Sequence, residues 1–133
     1  MSLKETPMTR WYWREILKQG TLIEEYVAVV RAEDGSNGSR FLDGLVVLGG
    51  PFTVSDDVRM DITDMDVVVI QSKNKRLGMY LMGQALFSRE LLLKKGARSV
   101  RSVAVCRKDD KVMRELLLAH PDIEVAFCPA EVK

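Results

Sequence analysis

The chain has few of the residues that hold soft metals or close disulfides. Two cysteines, Cys106 and Cys128, and one histidine, His120, are spread over 133 residues. No Cys-x-x-Cys pair occurs, so a zinc site lacks its usual ligands and no zinc is expected. Two scattered thiols fit a reducing, cytoplasmic setting. No apolar run approaches the ~20 residues that span a bilayer, so no membrane partner is expected. No charged-apolar-small leader opens the chain, and the polar start reads as frayed, with residues 1–7 flexible. Glycine is not concentrated between a strand and a helix, which argues against a classical nucleotide loop. There is no internal repeat and no low-complexity tract.

What is present fits one domain. The chain is 47% hydrophobic and 29% charged, normal for a globular fold of this length. Net charge is only +1, yet it is unevenly placed. Residues 1–72 carry −5, residues 73–114 carry +9, and residues 115–133 carry −3. A basic middle can face phosphates, or it can be ordinary solvated surface.

Periodicity gives the order of elements. "MTRWYWREILKQG" after Pro7 reads as a short helix closed by Gly20, with Trp11, Ile16 and Leu17 on its apolar side. "TLIEEYVAVVRA" and "RFLDGLVVLGG" read as strands separated by the turn "EDGSNGS". Residues 52–65 suggest a short strand and a loop. The unbroken Val/Ile run of "DVVVIQSK" predicts a strand buried on both faces. Leu77, Leu81, Ala85 and Leu92 predict one stripe of a helix ended by Gly96, with Tyr80, Phe87 and Leu91 beside it. A strand (98–108), a helix capped by Asp109 or Asp110 and ended before Pro121, and a last strand complete the chain. The expected architecture is α/β, a mixed central sheet flanked by helices, with residues 107–133 extending the core as a helix and a strand.

Three polar residues stand out on these strands. Asp43 lies near the start of the second strand, and Gln71 and Lys73 share a face at the end of the third. Pairing of the two strands brings them together. A carboxylate and an amide oxygen suit a hard cation such as Mg²⁺, and a lysine beside them can orient a water or stabilise a phosphate. That chemistry is phosphodiester hydrolysis. Each residue also has a plainer role open to it: a strand-edge acid, a polar strand end, a solvated lysine.

The arrangement resembles the PD-(D/E)XK nucleases, the restriction-endonuclease-like fold. Residues 8–106 follow the order of elements that the resemblance implies. Asp43 in "RFLDGLVV" matches the first motif acid, and Gln71-Ser72-Lys73 matches the second motif with Gln at the acid position. The resemblance implies a catalytic group of Asp43, Gln71, Lys73 and an acid of the first helix, Glu15, with Glu24 and Glu25 as competitors. It implies supporting roles for Tyr80, Gln84 and Ser88 on the following helix. Metal ligands would be Asp43 and Gln71, with Mg²⁺ or Mn²⁺ as cofactor. Lys75, Arg76, Arg89, Lys94 and Lys95 would face DNA. The expected activity is metal-dependent cleavage of DNA by a homodimer, or else DNA or protein binding by a catalytically degenerate member.

Overall fold

A computed structural model describes residues 3–133. Six strands form one mixed sheet in the order β3-β1-β2-β4-β5-β6. They are β1 (Thr21–Val29), β2 (Arg40–Val47), β3 (Val54–Ser55), β4 (Asp66–Ser72), β5 (Ser99–Cys106) and β6 (Ile123–Phe127). β1, β2 and β4 form an antiparallel meander, while β4, β5 and β6 run parallel. Residues 52–65 contribute only the two-residue β3, parallel to β1 at the sheet edge.

β4 is the centre of the molecule because its sequence suits both faces. Val67 and Val69 point to one side, into a core with Ile23, Leu45 and Leu92. Val68 and Ile70 point to the other, against Met8, Tyr12 and Trp13. Alternation along a strand makes this division, and the β-branched run fills both layers without a polar interruption until Gln71.

Helices cover both faces. α1 (Thr6–Trp11) continues into a π-helical segment, Tyr12–Leu17, and both lie on the Val68/Ile70 face. α2 (Met79–Lys94) and α3 (Lys111–Leu118) lie on the other. The predicted stripe of α2 holds: Leu81, Ala85 and Leu92 are buried, joined by Ser88. Asp110 caps α3, its side chain accepting from the Met113 N–H. Gly96 follows α2 at φ 101°.

The first helix departs from expectation. Met8, Tyr12 and Trp13 form its buried side, while Ile16 is exposed. The wider π turn shifts which residues face the sheet, and a regular helical wheel misses that shift. Lys18, not Gly20, takes the left-handed position at its end, donating its N–H to the Trp13 carbonyl. Gly20 serves the turn into β1 instead. Its φ is 83°, and a Cβ there would lie 2.5 Å from Val46 Cγ1.

Candidate active site

β2 and β4 pair from Val47↔Val67 to Gly44↔Ile70 and then part. Beyond that point side chains replace the backbone ladder. The Asp43 N–H donates to Gln71 Oε1 at 3.2 Å, and the Ser72 N–H donates to Asp43 Oδ2 at 2.8 Å. The polar residues that end the two apolar runs therefore satisfy the backbone groups that the parting strands leave unpaired.

The faces follow from alternation. Gln71 turns toward α2, donating from Nε2 to Ser88 Oγ at 2.7 Å. The Ser88 hydroxyl in turn meets the Gln84 carbonyl oxygen. Lys73 turns the same way, its Nζ 4.8 Å from the centre of the Tyr80 ring. Ser72 turns to the other face, where its hydroxyl meets Thr9 Oγ1 of α1 at 2.8 Å. Asp43 and Gln71 are thus joined at one end of the sheet, while Lys73, two residues on, lies over Tyr80 and forms no ion pair with Asp43.

Asp43 is electrostatically unusual. Burial pushes its carboxyl up to about 6, against the lowering effect of the Ser72 N–H, and the charges of Glu25 and Glu5 add to the rise. Glu25 sits between the pairs Glu24↔Gly44 and Tyr26↔Leu42, at the position facing Asp43, with φ 55°. Glu5 reaches the site from the turn before α1, its Oε2 accepting from the Asn74 N–H at 3.2 Å.

The other acids go elsewhere. Glu24 pairs with Arg10 through two hydrogen bonds of 2.8 and 3.0 Å. Glu15 is exposed in a cleft with Arg10, Arg14 and Lys133, and the structure does not bring it to Asp43. Glu5 lay in a start that read as frayed, and no motif marks it. The pairing of Ser72 with Thr9 is equally silent in the sequence.

No family model, curated protein or solved structure matches the chain.

Among the described residues no group of three or more His, Cys, Asp and Glu side chains forms a metal-holding set. The residues fit a more loosely held ion. Mg²⁺ keeps several waters and needs only one or two carboxylates beside substrate phosphates. Asp43 can offer its second oxygen, and the Gln71 carbonyl has a second lone pair beyond the one taken by the Asp43 N–H.

The basic residues do not form one face. Lys75 and Arg76 are exposed at the start of α2, and Lys94 and Lys95 at its end, about 24 Å away along a helix of this length. Lys95 rests over the Tyr26 ring and donates to the Val27 carbonyl. Arg89 binds the Val100 carbonyl and Asp122, so it holds the fold together instead of facing a ligand. Tyr80, Gln84 and Ser88 do share one helical side and line one groove together with Gln71.

Proposed function

We propose that the protein hydrolyses DNA phosphodiesters with a divalent cation, as a restriction-endonuclease-like domain of the PD-(D/E)XK kind. The observation that carries this is the parting of β2 and β4. It leaves a half-buried carboxylate and an amide on adjoining strand ends, with a lysine two residues on and α2 facing the amide and the lysine. Asp43 would hold Mg²⁺ or Mn²⁺, and Gln71 would add an oxygen. The ion, when bound, would supply charge against the phosphate and a more acidic water. Lys73, on leaving the Tyr80 ring, would orient the attacking water or stabilise the phosphate. Ser88 fixes the Gln71 amide through its Nε2, leaving the oxygen aimed at Asp43. Glu25 and Glu5 are better placed than Glu15 to steer a water of the ion's shell. A homodimer would lengthen the footprint of so small a domain.

A second reading has an observation in its favour. Both ends of the Gln71 amide and one oxygen of Asp43 already bond within the protein. A member that had lost catalysis and only bound DNA or protein would keep such a network as structure.

Relaxation of supercoiled plasmid separates the two. Cleavage is expected only with added metal, and better with Mn²⁺, which tolerates a neutral ligand more readily than Mg²⁺ does. Asp43→Ala should abolish it. Lys73→Ala should lower the single-turnover rate more than the affinity. Cutting that persists in chelator or in Asp43→Ala would sink the proposal, and salt-sensitive DNA binding without cutting would support the second reading.

A further inference from the structure

We propose that the groove between α2 and the loop joining β1 to β2 binds unpaired bases of a single DNA strand. The groove is open to solvent and holds about 1020 Å³, just above the range of pockets that bury small ligands. Its walls carry three aromatic rings left largely in solvent: Phe41 from β2 is 57% exposed, and Tyr80 and Phe87 from α2 are each 70% exposed. Lys73 lies over one face of the Tyr80 ring, and the exposed rings of Phe41 and Phe87 are platforms for base stacking, which is tolerant of sequence.

Two further observations select a base over an apolar partner. The groove is polar where an apolar side chain would need it dry: Gln71 and Gln84 both line it. Gln84 Oε1 is the one buried side-chain oxygen or nitrogen without a hydrogen-bond partner among the described residues. Rotation of that side chain brings the oxygen to an amino or imino donor of an entering base. Gly83 is the second observation. It sits inside α2, where glycine destabilises a helix relative to alanine. Nothing in the protein requires it, since a Cβ there would have no neighbour within 4 Å. Gly83 lines the same groove and keeps that wall low enough for a flat ring to approach the helix. Arg40 and Lys94 on the lips suit the phosphates of such a strand, with Glu90 the only acid on the lining.

The inference deepens the DNA-cleavage reading and rests on it for the polymer alone, because stacking needs neither metal nor bond cleavage. Fluorescence anisotropy in chelator tests it with labelled oligothymidylate of about 12 nucleotides, a duplex of the same length and an abasic strand of the same length. The thymidylate should bind at least about 10-fold tighter than either of the others. Phe41→Ala and Phe87→Ala should each weaken it about 5- to 150-fold. Gly83→Leu should abolish the preference while leaving the melting temperature equal or higher, whereas Val112→Ala on exposed α3 should change nothing. Equal binding of the abasic strand, unchanged binding by the aromatic variants, or no binding to any strand would overturn the inference. Metal-dependent plasmid cutting that survives in Gly83→Leu would show that the two ideas fail separately.

Discussion

Asp43 and Gln71 carry opposite consequences of one geometry. The Asp43 carboxyl is pushed up to about 6, first by burial and then by Glu25 and Glu5. Its unfolded value is near 3.9. The folded chain therefore holds this proton more tightly than the unfolded one, and stability falls as pH rises from about 4 to about 6. Asp43→Asn keeps an oxygen for the Ser72 N–H and removes the charge. In chelator at pH 7.5 it should stabilise the protein by about 1–2 kcal/mol, with the gap closing below pH 4. Denaturant melts at the two pH values check this, and an Asn variant less stable at pH 7.5 would mean that the carboxylate is well paired without metal. Gln71→Glu should behave in the opposite way. It adds a second negative charge beside Asp43, so the metal-free protein should melt lower. Added Mg²⁺ should then raise its melting temperature more than that of the parent chain, by mass action on a tighter site.

The site depends on how α1 meets the sheet. A Cβ on Gly44 would lie 2.7 Å from Thr9 Cγ2 and 3.2 Å from Leu22 Cδ1. The helix therefore sits directly on the last paired residue before the strands part, and Thr9 reaches Ser72 from there. Gly44→Ala should destabilise the fold by about 1–3 kcal/mol through overpacking. It should also loosen the Ser72 N–H bond to Asp43, seen as faster amide exchange at Ser72 than at Val68. Much of this arrangement was legible beforehand. The Val/Ile run marked β4 as buried on both faces, the stripe Leu77-Leu81-Ala85-Leu92 defined α2, and Asp109-Asp110 announced α3, with Asp110 the cap. These signals are local and periodic. The π turn was not legible, because Tyr12–Leu17 have ordinary helical letters and only the sheet decides how they wind. Nor was the role of Glu5, whose proximity to Asp43 arises from how the chain enters α1 and from no spacing within a motif. Of the acids that the resemblance implied, Glu15 stays on the helix surface and Glu24 is drawn off by Arg10, while Glu25 faces Asp43.

Across the whole molecule the charge pattern means less than its sum implies. Residues 73–114 carry a net +9, but much of it is used inside the fold. Arg89 pairs with Asp122, Arg98 with Asp66, Arg101 with Glu124, and Arg114 with Asp109. Arg107 is drawn to Asn74 and to the backbone carbonyl of Val132. Apart from Lys94 on the lip of the α2 groove, what remains for a duplex is a small group where β4 and β5 end and α2 and α3 begin: Lys73, Lys75, Arg76 and Lys108. An isolated backbone bridge joins Arg76 and Lys108, so these two lie side by side. Each phosphate neutralised releases counterions, and for duplex DNA the slope of log affinity against log salt is about −0.9 per contact. Four contacts predict a slope of about −3 to −4, far from the value of about −8 that the full +9 would give. Lys75→Ala with Arg76→Ala should reduce the slope by about 2, uniformly across sequences. Arg98→Ala should leave the slope alone and change only stability, because its charge is committed to Asp66. A titration of duplex binding over a fourfold salt range measures all three. A slope near −8, or one that Arg98→Ala reduces as much as the Lys75 and Arg76 pair does, would show that the internal ion pairs open when DNA binds.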